Sequence, residues 1–171
     1  MRDDMNITLI GMPGSGKSTV GKALAKRMGM QFVDVDRVII QQTGKTLAQI
    51  IDEVGDDGFR QVENRVNASL NVTNAVIAPG GSVIYGEEAM AHLRDISTVV
   101  YLQVTHDELL RRLGDLHARG VSIRPGQTFR DLYHERCPLY EKYAHVVILT
   151  KGLRFEAVVQ QVEETVAGKM I

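Results

Sequence analysis

Short apolar runs alternate along the chain with stretches whose apolar residues recur every three or four positions. Asn6–Ile10 is the first run and reads as a strand, followed by a glycine-rich turn. Val20, Leu24, Ala25 and Met28 then share one helical face, and Gly29 marks a stop. Gln31–Val35 reads as a second short strand. Residues from about Val38 to Asn71 carry a helical period in two or three pieces, broken near Gly44 and Gly55–Gly58. Ala75–Ala78 is a third strand, ended by Pro79-Gly80-Gly81. Glu87–Arg94 is a short helix, Ser97–Val104 is the clearest β run, and Asp107–Leu113 is helical. Thr128–Tyr143 returns to helical spacing, Val146–Leu149 is a fifth strand, and Phe155–Val166 is a last helix.

Near-continuous apolar strands alternating with helices predict an α/β fold of three layers, a five-stranded parallel sheet flanked by helices on both faces. Ligands of such sheets bind at the carboxyl ends of the strands. Residues that carry chemistry should therefore follow the strands. The polar stretch Gly114–Gln127 is longer than the connections usual in such folds, which marks it as functional.

Composition narrows the class. The 171 residues make one domain, and 20 Lys+Arg against 21 Asp+Glu leave a net charge of −1. That balance excludes wholesale attraction to nucleic acid or anionic lipid. The single cysteine, Cys137, excludes an internal disulfide and fits a reducing compartment. No apolar run reaches the roughly 20 residues of a membrane span, and the N-terminus lacks the apolar core of a signal peptide. A cytoplasmic protein is expected, and a monomer.

Residues 11–18 read G-M-P-G-S-G-K-S, a complete G-x-x-x-x-G-K-[ST] pattern between a strand and a helix. Gly11, Gly14 and Gly16 let the backbone curl so that successive N–H groups face phosphate oxygens. The following helix adds its positive end. Lys17 would reach the β- and γ-phosphates, and the Ser18 hydroxyl would bind Mg²⁺. A kinase of a small molecule is the economical reading, since no guanine signature is visible.

The acceptor side is read from four places. Asp34 and Asp36 flank Val35 at the end of the second strand and would point the same way, one toward a metal-bound water and the other toward an attacking hydroxyl. Arg60 could pair bidentately with a substrate carboxylate, with Glu63 fixing its fork. Gly80 and Gly81 would let a ligand pass close to the backbone. Arg136 lies on a helix just before the break expected at Pro138. The long loop adds Arg119 and Arg124, and Arg111 and Arg112 follow the fourth strand, placed either against an adenine or in solvent.

The order G-M-P-G-S-G-K-S, F-V-D-V-D, G-F-R-Q-V-E, P-G-G-S-V and E-R-C-P-L-Y resembles the shikimate kinase family, over nearly the whole chain from about Ile7. The resemblance implies a P-loop kinase fold with a mobile lid at about 114–127 and a substrate-binding segment at about 34–63. It implies ATP-dependent phosphorylation of the 3-hydroxyl of shikimate, a small acidic molecule, with Mg²⁺. The ATP site would comprise Gly11, Pro13, Gly14, Ser15, Gly16, Lys17, Ser18 and Thr19, with Arg112 near the adenine. Ser18 and Asp34 would serve the metal. Asp36 would hold the acceptor hydroxyls and act as base, Arg60 and Arg136 would clamp the carboxylate, and Gly80 and Gly81 would line the pocket. Arg119 fits the family's lid arginine by distance, Arg124-Pro125 by dipeptide. The family usually has three glycines where this chain has Pro79-Gly80-Gly81. The rival readings are a kinase of another hydroxy-acid such as gluconate and a degenerate nucleotide-binding module.

Overall fold

In a computed structural model, residues 5–113 and 125–169 are described. Five strands, β1 (Asn6–Ile10), β2 (Gln31–Asp34), β3 (Ala75–Ala78), β4 (Thr98–Gln103) and β5 (Val146–Leu149), form one sheet in the order β2-β3-β1-β4-β5. Every neighbouring pair is parallel. The α/β expectation holds. Successive side chains of each strand point to opposite faces of the sheet and so divide the core. Ile7, Leu9, Val76, Val100 and Leu102 face one layer; Ile10, Ala75, Ile77, Val99 and Tyr101 face the other.

The first layer is made by α1 (Lys17–Met28) and α7 (Phe155–Lys169), through Val20, Leu24, Val159, Val162 and Val166. The second is made by α2 (Val35–Thr43), α3 (Leu47–Ala68), α4 (Glu87–Ile96), α5 (His106–Leu113) and α6 (Phe129–Tyr143). Polar residues inside β1 are satisfied by the loops around it. The Asn6 side chain donates to the carbonyls of Val72 and Ile96 and accepts from the Ala75 N–H, tying the start of the central strand to its neighbours.

Two expectations are corrected. The second strand ends at Asp34, not Val35: the Asp34 side chain accepts from the Asp36 N–H at 3.1 Å and caps α2. Asp36 therefore lies in a helical first turn rather than on a strand. The break at Pro138 is absent. α6 runs through it, because the buried face carrying Leu132, Arg136 and Tyr140 holds the helix on both sides of the one lost N–H. A 3-10 turn, Gly81–Tyr85, follows the third strand. Arg119 and Arg124, with residues 114–124 of the expected lid, lie outside the described residues. Among those described, no helix is long and apolar enough to cross a membrane.

Candidate functional site

The phosphate loop leaves the carboxyl end of the central strand, where sheet topology places a ligand. Gly14 and Gly16 hold φ of 83° and 94°, a region that favours glycine, and their backbone turns the chain straight into α1. That helix has Gly16 as N-cap with no side-chain cap, so its first-turn N–H groups remain for a ligand. The Ser15 hydroxyl is buried beneath the loop without a hydrogen-bond partner. Lys17 Nζ folds back onto the loop, donating to the carbonyls of Gly11 at 2.8 Å and Met12 at 3.1 Å. These features suit a nucleotide's phosphates.

Two cavities meet at this loop. One, of about 590 Å³, is lined by Lys17, Ser18, Asp34, Asp36, Arg60 and Arg136 among others. The second, of about 650 Å³, runs along the other side of the loop past Gly14, Ser15 and Thr19 to Arg112 and Phe155. Lys17 and Ser18 line both. Arg112 is held there by Glu108 at 2.9 Å and by the Gly14 carbonyl at 3.2 Å. Arg111 pairs with the same Glu108 and points to solvent.

The first cavity collects the acceptor-side residues predicted from the sequence. Pro13 sits on its loop side. Gly80 is small because carboxylates crowd it. A Cβ there would lie 2.6 Å from Glu63 Oε2 and 3.3 Å from Asp36 Oδ1. At Gly81 a Cβ would meet Pro13 Cδ at 3.1 Å and Arg136 Nη1 at 3.2 Å. Arg136 is only 2% exposed, and its Nε has no partner among the described residues. A buried guanidinium with an unpaired N–H, on a residue that lines the cavity, suits an anionic ligand group.

Charge is concentrated there. Burial lowers Lys17 to about 8, with Arg136 adding to the shift and Asp36 and Glu63 opposing it. Burial, and then Asp34, push Asp36 above the usual carboxylate range, while Lys17 pulls it down. Burial raises Glu63 to about 7 against the Ser82 hydrogen bond and the charges of Arg136 and Arg60.

Glu63 does not serve as expected. Its carboxylate accepts from Ser82 Oγ at 2.5 Å, and the Arg60 guanidinium instead stacks over the Tyr85 ring, 4.1 Å from its centroid. Ser82 and Tyr85 escaped the sequence reading. Ser82 directly follows the glycine pair, whereas nothing in the sequence marks Tyr85. Tyr140 also escaped it; its hydroxyl donates to the Gly81 carbonyl at 2.7 Å and joins α6 to the turn.

Mg²⁺ usually takes one or two protein oxygens beside phosphates and water. The Ser18 hydroxyl and Asp34 carboxylate, lining one cavity, fit that requirement. Among the described residues no group of three or more His, Cys, Asp or Glu forms a dedicated cage.

A family model described as "Shikimate kinase" matches residues 13–167. A shikimate kinase of Paracidovorax citrulli is 39% identical over 164 residues, covering 92% of this chain and 90% of its own. The structure of shikimate kinase from Acinetobacter baumannii in complex with shikimate superposes with a TM-score of 0.86 at 32% identity, over 96% of this chain and 94% of that one. The shikimate kinase of Aquifex aeolicus gives 0.82 at 30% identity, over 98% and 99%.

Proposed function

The chain belongs to the shikimate kinase family, phosphotransferases acting on an alcohol, and from that premise we propose that it transfers the γ-phosphoryl group of ATP to the 3-hydroxyl of shikimate. The observation that carries the acceptor's chemistry is Arg136, a buried guanidinium with an unpartnered Nε on a residue that lines the same cavity as Lys17.

In this reading the nucleotide lies along the Arg112 side of the loop and the acceptor enters the Asp36 side. Arg60 and Arg136 bind the acceptor's carboxylate and fix the ring, leaving a hydroxyl beside Asp36. The hydroxyl oxygen forms its bond to the γ-phosphorus as the bridging P–O bond to ADP breaks, and its proton passes to the Asp36 carboxylate. The raised pKa of Asp36 strengthens it as a proton acceptor. Lys17, charged below pH about 8, offsets charge on the transferred group. Ser18 and Asp34 would hold Mg²⁺, which when bound would supply positive charge against the phosphates.

The test is ADP release from Mg-ATP with shikimate, with gluconate, and without acceptor. Strong stimulation by shikimate alone is expected, and Lys17→Ala should retain less than a tenth of it. Stimulation by gluconate instead would replace the acceptor, and Lys17→Ala turnover near wild type would remove the phosphate-loop mechanism.

A further inference from the structure

The two arginines of the acceptor cavity come from separate elements, Arg60 from α3 and Arg136 from α6. One ring meets both. The Arg60 Cζ is 4.1 Å and the Arg136 Cζ 5.5 Å from the centroid of Tyr85, the last residue of the 3-10 turn that follows the glycine pair. The Tyr85 hydroxyl in turn donates to the Glu135 carboxylate, one residue before Arg136. Both arginines line the cavity and Tyr85 does not, so the ring reaches the site through the guanidinia it packs against.

Two guanidinia that converge on one carboxylate repel each other before it arrives, and long side chains lose rotamer freedom in meeting it. An aromatic face is electronegative and attracts a cation within about 6 Å of its centroid, more strongly where water is excluded. We propose that Tyr85 is a positioning residue for acceptor binding: its ring holds Arg60 and Arg136 together in advance of the carboxylate, and its bond to Glu135 fixes the ring against α6. The inference rests on the acceptor-clamp reading of those two arginines. Burial, and then the bond to Glu135, raise the phenol above its ordinary value, so the ring stays neutral across the working range.

The experiment compares Tyr85→Phe, Tyr85→Leu and Tyr85→Met with wild type, each checked for folding by its melting curve, varying shikimate and ATP separately. Removing the ring should raise the shikimate KM roughly tenfold, as expected for lost cation–π contacts in a desolvated site. The ATP KM and kcat should stay within about twofold of wild type, by the same account of a purely acceptor-side contact. Tyr85→Phe keeps the ring but loses the bond to Glu135, and its shikimate KM should fall between those of wild type and the leucine variant. A shikimate KM unchanged in the leucine or methionine variant overturns the proposal, as does a phenylalanine variant as impaired as leucine, or an ATP KM that rises in parallel. Wild-type protein that does not turn over shikimate would overturn the acceptor reading, and this inference with it. A measurement that needs no variant is the NMR of the arginine side chains. Ring-current shifts at Arg60 and Arg136 are expected, and random-coil positions for both overturn the proposal.

Discussion

At Glu63 burial governs the charge of the side chain. The side chain is 2% exposed, its carboxyl is raised from 4.5 to about 7, and the largest cause is burial. The folded protein therefore keeps a proton that the unfolded chain releases near pH 4.5. This group's stabilisation is full below the unfolded value and is lost as pH rises through about 7. Glu63→Gln removes the titration and leaves a side-chain oxygen to accept from Ser82. The melting temperature of the variant relative to wild type should rise between pH 5 and pH 8, by on the order of a few °C. Melting curves at both pH values check this; a constant difference would mean that Glu63 is already ionised in the folded protein at low pH. The same residue marks a limit of reading a sequence. Arg60 and Glu63 three apart on a helix are legible as neighbours, but the partners each one takes, Tyr85 and Ser82, arrive from a turn about twenty residues further on.

The elements divide in a similar way. Strands were legible to within about one residue, because they are short, mostly apolar runs and the first three end at glycine, acid or proline. D-V-D was not, because a strand's last acid and a helix cap use the same residue; the Asp36 N–H hydrogen bond, visible only in three dimensions, decides for the cap. Pro138 misled because local propensity gave way to the buried face of α6. Gly55 was read as a break, and the structure gives it a specific function within α3. Its φ of 76° and ψ of 177° interrupt the helix between the cavity wall at Leu47–Ile51 and the arginine at 60. A Cβ at Gly55 would meet nothing within 4 Å, so substitution is opposed by the backbone alone. Gly55→Ala should cost about 1–3 kcal/mol of conformational strain, lowering the melting temperature by roughly 2–12 °C for a chain of this size. Because the bend lies between two parts of α3 that line the acceptor cavity, the variant should also raise the acceptor KM more than the ATP KM. A melting temperature equal to wild type would show that the bend is indifferent to the residue there.

At the scale of the whole molecule, the sheet order β2-β3-β1-β4-β5 sets the phosphate loop between two walls. β2 and β3, on one side of the central strand, deliver Asp34, Asp36 and the Gly80–Gly81 turn; β4 and α5, on the other, deliver Arg112. The two cavities are therefore products of topology as much as of side chains, and among the described residues both are lined by Lys17 and Ser18. This makes a demand on ligand binding that no single residue makes. Ligands in separate cavities should each stabilise the fold by mass action, by about 2.7 kcal/mol at a hundred times Kd, or roughly 5–11 °C in melting temperature at this chain length. Shikimate and a non-transferable ATP analogue together should raise the melting temperature by close to the sum of their separate shifts, with any surplus measuring coupling across Lys17. A shikimate shift that vanishes in the presence of the analogue would mean that the two compete for one space. The phosphate loop would then be the floor of a single site rather than the partition between two, and the transfer geometry drawn from the two walls would fail with it.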